Sequence, residues 1–293
     1  MPAFPGRAAG DRPRWMGETG AGRGALRREL MARKADAMKL VVFGGAGWLG
    51  RAILARSVNR VEVRAFDRGP EAWNEWRDLD GDWTGGEVMH GDISDFDAVE
   101  RAVSGMDAVI HTAVFYPRQD VEHDPRPFQI NLKGLWNVLE AARRHGIRKI
   151  VHVGSCATIH PGGRFFDAET RSIEGDLYGI CKRLQEEMCR QFHDAHGMST
   201  VVLRPDYIVD SRLGIGRHRE PLGPGGAEWR LGWVCRHDLA EACLLAAENP
   251  EIGHEILHIV GTPGAEEHCN VERARTVLGL RFAGNLDRFR PPA

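Results

Sequence analysis

Short apolar runs alternate with longer amphipathic segments from Lys39 onward. Seven of these runs predict β-strands, and several are continuously apolar, as is typical of parallel strands buried on both faces. The predicted strands are Lys39–Phe43, Val61–Phe66, Glu87–His90, Ala108–His111, Lys149–Val153, Thr200–Leu203 and Glu255–Ile259. Because such strands alternate with helix-length segments, the pattern predicts an α/β fold with a doubly wound parallel sheet.

Five segments between the strands carry apolar residues at helical spacing. These predicted helices are Gly50–Val58, Phe96–Val103, Phe128–His145, Leu177–His196 and Asp238–Glu248. In the third of them, Leu132, Leu135 and Leu139 recur at three- and four-residue steps, so this face is expected to pack on the sheet. A last helix is expected over Asn270–Leu278, in a small C-terminal lobe.

The composition divides the chain into three parts. Residues 1–37 are rich in Gly, Arg and Pro, and we predict that they are a disordered extension or a start-site artefact. Residues 38–204 hold most of the predicted sheet, and residues 205–293 form the small lobe from which the chain returns to the sheet. The Gly- and Pro-rich stretch Pro205–Gly232 is predicted to be a long loop, which is either a lid over a substrate or a flexible insertion.

Charge and cysteine usage exclude several classes of function. The 293 residues include 39 Lys and Arg against 41 Asp and Glu, a balance that would not concentrate nucleic acid or an acidic membrane. No apolar run reaches the roughly 18 residues that span a bilayer. The six cysteines lack a CxxC pair, so we expect free thiols and a cytoplasmic protein. His193 and His196 lie three residues apart without further ligands at metal-binding spacing, and no metal is assigned.

A glycine-rich turn follows the first predicted strand. Gly44, Gly47 and Gly50 form a GxxGxxG pattern that opens a helix and encloses Trp48 and Leu49. In such a turn the backbone can approach a pyrophosphate closely, and the helix N-terminus offers it unpaired N–H groups. The pattern between a strand and a helix therefore predicts a Rossmann-type dinucleotide-binding domain with these five residues at the cofactor.

Two acidic residues at the ends of the next strands are candidates for the adenosine half of the cofactor. Asp67 ends the second strand, near the expected spacing of about 20 residues for a carboxylate on the adenosine ribose. A carboxylate there repels a 2′-phosphate, which favours NAD over NADP, although Arg68 beside it weakens the preference. Asp92, followed by Ile93, is either an adenine-side contact or the cap of the next helix.

Tyr178 and Lys182 lie at the start of a long predicted helix, four residues apart and therefore on one face. The chain has only three tyrosines, so the pair is informative. A nearby ammonium lowers the proton affinity of a phenol, so Tyr178 can act as a general acid or base. Lys182 is also expected to reach the cofactor ribose.

With these motifs the chain resembles the extended short-chain dehydrogenase/reductase family, also called the NAD-dependent epimerase/dehydratase family. The resemblance covers residues 38 to about 282 and includes Thr112 and Ala113, the helix that begins near Asn131, and the segment His237–Ala242. It implies that NAD is the cofactor, that Thr112, Ala113 and Asn131 lie close to it, and that two copies pair as a homodimer.

The family usually carries a Ser or Thr after the fifth strand that hydrogen-bonds the substrate oxygen. By its spacing this position falls on Cys156, whose thiol is a poorer donor than a hydroxyl. Either Ser155 takes the role through a one-residue shift, which we rank first, or Thr158 does, or Tyr178 works with weaker help. Thr158 is also a candidate to bind substrate, and Arg204 at the end of the sixth strand meets an anionic substrate or forms a structural salt bridge.

Loop length and the C-terminal end bear on the substrate. Family members that act on nucleotide sugars resemble one another in a sizeable segment that follows the sixth strand. In this chain only Pro205–His237 lies in the corresponding interval. The end of the chain resembles the uronate dehydrogenase branch, although Ala157 and Thr158 match that branch's substrate-binding Asn and His. The resemblance implies an NAD-dependent oxidoreductase of a small sugar-like or polyhydroxylated alcohol or carbonyl. The alternatives are a sugar or nucleotide-sugar epimerase or dehydratase with tightly bound NAD, and a non-catalytic NAD-binding regulator.

Overall fold

The computed structural model describes residues 37–116, 122–158, 171–173 and 175–291. The chain divides into two units, residues 1–37 and residues 38–293, and all described residues except Ala37 belong to the second. The predicted extension over residues 1–37 therefore lies outside the described residues apart from its last one.

Seven parallel strands form the central sheet. They are β1 (Lys39–Phe43), β2 (Glu62–Asp67), β3 (Glu87–His90), β4 (Ala108–His111), β5 (Lys149–Val153), β6 (Ser199–Arg204) and β10 (His254–His258). Their order is β10-β6-β5-β4-β1-β2-β3, in which the first six strands of the chain follow the doubly wound dinucleotide-binding arrangement. Every predicted strand is present with its ends within one residue, so the predicted doubly wound sheet is confirmed.

Helices cover both faces of this sheet. They are α1 (Trp48–Ser57), α2 (Arg77–Asp80), α3 (Phe96–Val103), α4 (Gly134–Arg144), α5 (Leu177–His196), α6 (Arg236–Glu248) and α7 (Val271–Leu278). Successive side chains of a strand point to opposite faces. Leu40 and Val42 of β1 accordingly share a core with α1 and α6, whereas Val41 and Phe43 share one with α3, α4 and α5.

The helix predicted over Phe128–His145 consists of two elements. A π-helical segment, Pro127–Lys133, leads directly into α4. In its wider turns the backbone carbonyl of Asn131 accepts a hydrogen bond from Gln185 Nε2 at 2.7 Å. Over so short a stretch, the spacing of apolar residues is the same in a π-helix as in an α-helix. The sequence therefore did not predict the π-helical segment.

The stretch Pro205–Gly232, predicted as a long loop, contains strands. β7 (Tyr207–Asp210) and β8 (Ile215–Gly216) lie within it, and they form a small mixed sheet with β9 (Trp233–Cys235) in the order β8-β7-β9. The prediction of one long loop was wrong where these strands lie, because they are too short to show alternation among Gly and Pro residues. Their stability comes from distant partners, since Val209 and Trp233 pack against Leu286 near the C-terminus.

All six cysteines lie among the described residues, and each is a buried free thiol, which confirms the expected thiol state. Across the described ranges, no helix combines the length and the apolar character needed to cross a membrane.

Candidate active site

The glycine-rich turn connects β1 to α1, and two of its glycines are required by space. Gly44 has a φ of +85°, and a Cβ there would lie 2.5 Å from Thr112 Oγ1 and 2.8 Å from the backbone nitrogen of Ala113. A Cβ at Gly50 would overlap the carbonyl oxygen of Gly44. Thr112 is tied to the same turn, since its hydroxyl donates to the carbonyl of Phe43 at 2.9 Å. The end of β4 therefore lies directly against the turn.

The N-terminus of α1 fits the pyrophosphate of a dinucleotide. Gly47 is the N-cap and supplies no side-chain hydrogen bond, and the first turn carries no acidic residue. The first N–H groups of the helix, at Trp48, Leu49 and Gly50, have no partner within the helix and lie at its positive end. The side chains of Trp48 and Leu49 are apolar and carry no charge, so the backbone N–H groups are what this turn could offer to an anion.

Asp67 lies at the carboxyl end of β2 against the glycine-rich turn. Its Oδ2 accepts from the backbone N–H of Ala46 at 2.9 Å, and its Oδ1 accepts from that of Arg68 at 2.9 Å. The carboxylate is half-buried whereas Arg68 is exposed. These two backbone hydrogen bonds hold the carboxylate beside the pyrophosphate position, where the adenosine ribose of NAD would reach it.

Asp92 is exposed and forms a local turn. Its Oδ1 accepts from the backbone N–H and the hydroxyl of Ser94, both at 2.8 Å. The alternative that Asp92 caps the next helix is wrong, because Asp95 is the N-cap of α3 and accepts from Asp97. Ile93 beside it is buried.

Tyr178 and Lys182 lie in the first turns of α5 and face Ser155. Asp176 caps this helix by accepting from the backbone N–H of Gly179 at 2.7 Å. The Ser155 side chain is near enough to the Tyr178 phenol to lower its pKa, and Lys182 Nζ lies 5.8 Å from the Tyr178 ring centroid. Lys182 also donates to the carbonyl of Val153 at 2.9 Å. The structure thus brings Tyr178, Lys182 and Ser155 together.

Burial has opposite effects on the two titratable groups of this cluster. It raises the pKa of Tyr178 well above its ordinary value, Tyr116 raises it further, and Ser155 and Arg217 act in the opposite direction. For Lys182, which is 3% exposed, burial lowers the pKa to about 8. Lys182 therefore carries its charge near neutral pH and loses it as the pH rises through about 8.

Cys156, Thr158 and Arg204 point into the interior. Cys156 is fully buried, its Sγ donates to the carbonyl of Arg204 at 3.3 Å, and burial raises the pKa of this thiol. The Thr158 hydroxyl donates to the carbonyl of Ser155 at 3.0 Å. Arg204 forms a bidentate ion pair with Glu186, at 2.8 and 2.6 Å, which is the salt-bridge alternative of the sequence analysis. Of the candidates after β5, Ser155 is the one beside Tyr178.

Asn131, predicted near the cofactor, is 1% exposed in the π-helical segment. Its Oδ1 accepts from the backbone N–H of Phe115 at 2.7 Å, and its Nδ2 donates to the carbonyl of Phe115 at 2.9 Å. Its amide therefore holds the chain next to Tyr116.

Two further residues complete the site, and sequence reasoning missed both. The Tyr116 ring stacks on Tyr178 with centroids 4.7 Å apart, and the two hydroxyls are 3.3 Å apart. The Arg217 guanidinium covers the Tyr116 ring at 4.1 Å from its centroid. In the part of the chain that the structure describes, no carboxylate forms an ion pair with Arg217. The rarity of tyrosine could have marked Tyr116, whereas Arg217 lies in the stretch predicted as a loop.

Two histidines lie buried near Lys182. His111 and His152 approach through their Nδ1 atoms at 3.1 Å. Burial, with the charge of Lys182 as the second cause, lowers the pKa of His111 to about 3 and that of His152 well below its ordinary value. Both rings are therefore neutral, and among the described residues no three His, Cys, Asp or Glu side chains are placed to hold a metal ion.

Known proteins resemble this chain in sequence and in fold. The model of the NAD dependent epimerase/dehydratase family matches residues 40–209. A uronate dehydrogenase from Pseudomonas syringae pv. tomato is 28% identical over 178 residues, which are 59% of this chain and 58% of that protein, so the chain spans less than two thirds of this relative. An NAD-dependent glucose-6-phosphate dehydrogenase from Haloferax volcanii is 28% identical over 274 residues, 85% of this chain and 95% of the relative. The solved structure of a uronate dehydrogenase mutant from Agrobacterium tumefaciens, complexed with NAD, has the same fold, with a TM-score of 0.68. The two sequences are 23% identical, and the match covers 87% of this chain and 91% of that one.

Proposed function

Because the chain belongs to the NAD dependent epimerase/dehydratase family, we propose that it oxidises a hydroxyl group of a small sugar acid. Membership makes the chain an NAD-dependent enzyme of the extended short-chain dehydrogenase/reductase type, and its glycine-rich turn and Asp67 fit NAD. The uronate dehydrogenases among its relatives carry a sugar acid in their name.

The observation that carries the proposal is the position of Arg217. Its guanidinium lies over the Tyr116 ring and lowers the pKa of Tyr178, yet none of the described carboxylates pairs with it. A guanidinium binds a carboxylate through two parallel hydrogen bonds. A substrate carboxylate held there would lie within one small molecule's length of the Tyr178 hydroxyl, which favours a free sugar acid over a neutral sugar.

In this proposal each residue near Tyr178 has a separate task. Tyr178 takes the proton of the substrate hydroxyl, and Ser155 orients the substrate oxygen by donating to it. Lys182 supplies positive charge that stabilises the phenolate and reaches the cofactor ribose. NAD, when bound, provides the acceptor for the hydride.

NADH absorbance on purified protein tests the proposal, with NAD and matched pairs of sugar acids and neutral sugars. We expect NADH to form with the acids and not to form in the Tyr178→Phe variant. Arg217→Gln should raise KM for the acid by roughly 10- to 100-fold, since a hydrogen bond to a charged group contributes about 1.5–3 kcal/mol.

Two outcomes would contradict the proposal. Equal oxidation of acids and neutral sugars, with an unchanged KM in Arg217→Gln, would exclude recognition of a carboxylate. Conversion of the sugar without net NADH would instead identify an epimerase or a dehydratase.

A further inference from the structure

We infer that Tyr116 is a second catalytic phenol, which carries the proton from Tyr178 to solvent during substrate oxidation. The inference rests on the proposed function, because it concerns the proton that such an oxidation releases.

The two phenols are arranged for proton transfer. Their rings stack at an interplanar angle of 19°, and the Tyr178 hydroxyl faces the Tyr116 hydroxyl at 3.3 Å. Hydrogen bonds between catalytic groups are often long in the ligand-free protein and tighten when the substrate binds. Tyr116 is 37% exposed, which makes it the most exposed of the described residues that contact Tyr178.

The other described groups beside Tyr178 lead away from solvent. Lys182 is 3% exposed and donates to the carbonyl of Val153. Ser155 is 7% exposed, and its hydroxyl accepts from the backbone N–H of Ala157 at 3.1 Å. Arg217 is half-exposed, but a guanidinium does not exchange protons at physiological pH. Tyr178 itself is half-buried, and among the described groups that contact it Tyr116 is the most exposed one that can exchange a proton.

Neighbouring side chains hold Tyr116 in position. Asn131 binds the backbone of Phe115 on both its N–H and its carbonyl, and the Arg126 guanidinium lies 4.5 Å from the Phe115 ring centroid. The Arg217 guanidinium lies over the Tyr116 ring, 4.1 Å from its centroid. A cation over the ring stabilises the negative charge that develops there while a proton is passing.

The step balances without an additional reagent. The substrate hydroxyl gives its proton to the Tyr178 oxygen while the C–H bond on the carbon that bears this hydroxyl breaks, and NAD, when bound, would accept the hydride. The phenolic proton of Tyr178 moves to the Tyr116 oxygen, and the proton of Tyr116 moves to a water molecule. One carbonyl, one NADH and one solvent proton result, and both phenols return to their neutral form.

Tyr116→Phe tests the relay, because it keeps the ring between Tyr178 and Arg217 and removes only the hydroxyl. We expect kcat to fall at least about 10-fold and KM for the sugar acid to stay within about 2-fold. Imidazole buffer should restore kcat in the variant in proportion to its concentration, because a small base can accept the proton in place of Tyr116. The control is Tyr207→Phe, whose hydroxyl contacts Glu220 and not Tyr178, and which should show no dependence on imidazole.

A second measurement needs no substrate. Ultraviolet titration of the three tyrosines, with and without NAD, should show that Tyr178 ionises at lower pH in Tyr116→Phe, because Tyr116 raises the pKa of Tyr178. Lys182, Arg217 and Ser155 face the same phenol and are unchanged in this variant. Comparison with Tyr207→Phe identifies which signal belongs to which residue.

The outcomes separate the relay from the proposed function. If the titration shows coupled phenols but no sugar acid is oxidised, the proposed function fails while the contact between the phenols stands. If NADH forms and Tyr116→Phe keeps the parent kcat without a response to imidazole, the relay is overturned while the function stands. A loss confined to KM would also overturn the relay, because it would make Tyr116 a binding residue.

Discussion

Replacing Arg204 with Met should destabilise the protein strongly without weakening substrate binding. Arg204 and Glu186 form two hydrogen bonds of 2.8 and 2.6 Å, and their side chains are only 4% and 9% exposed. Removal of Arg204 leaves the buried Glu186 carboxylate without the guanidinium that pairs with both of its oxygens, which costs about 3–5 kcal/mol. In a domain of this size each kcal/mol shifts the Tm by about 2–4 °C, so we expect the Tm to fall by roughly 6–20 °C.

Thermal unfolding followed by circular dichroism, without NAD, measures this effect. The double variant Arg204→Met with Glu186→Leu should recover most of the lost Tm, because replacing a buried ion pair with apolar side chains is often neutral. Arg77→Met is the matched control, since Arg77 and its partner Asp82 are both exposed and the loss of this pair should change the Tm little.

The result that would refute this reasoning is specific. A Tm within about 2 °C of the parent, together with a raised KM for an anionic substrate, would show that Arg204 binds substrate instead of Glu186. A double variant less stable than either single variant would also contradict the interpretation that Arg204 and Glu186 act mainly as a buried pair.

Three further predictions concern the cofactor turn and the buried histidines. Gly50→Ala should weaken NAD binding and lower the free energy of unfolding by about 1–3 kcal/mol, because the new Cβ overlaps the Gly44 carbonyl. Calorimetry measures the binding, and an affinity for NAD equal to that of the parent would contradict this prediction. Asp67→Ala should lower the preference for NAD over NADP by roughly 10-fold in kcat/KM, and an unchanged ratio would show that Asp67 does not discriminate. Burial lowers the pKa of His111 to about 3, so the folded state stays neutral while the unfolded chain takes up a proton below about pH 6.5. The free energy of unfolding should therefore fall as the pH drops through this range, and it should fall less in His111→Leu than in the parent protein. Urea unfolding at about pH 5 and pH 7 measures this loss, and an equal loss in both proteins would contradict the reasoning.

The inner strands of the central sheet were predictable because they are buried on both faces. In the strand Lys39–Phe43, four consecutive apolar residues are buried, and the sequence shows this short apolar run directly. β7 and β8 are different, since their two to four residues are stabilised by contacts with residues far along the chain. Local patterns contain no information about those partners.

The same distinction applies to the candidate site. The glycine-rich turn and the pair Tyr178 and Lys182 are local motifs, and the sequence was sufficient to find them. Ser155 and Cys156 are neighbours whose side chains diverge, so only the backbone geometry after β5 shows which one reaches the phenol. Tyr116 and Arg217 lie far apart in the chain, and the tertiary fold alone brings them to Tyr178.

The packing of α1 against α6 has a consequence for the synthesis of the protein. Ile53 and Leu54 of α1 are fully buried in the core that includes α6, and Arg56 forms an ion pair with Glu241 of that helix. Translation proceeds at about 5–20 residues per second, so roughly 10 to 40 s separate the emergence of α1 from that of α6. During this interval the apolar face of α1 is exposed, because its packing partner α6 has not yet been synthesised. We expect chaperones at the ribosome to protect this face.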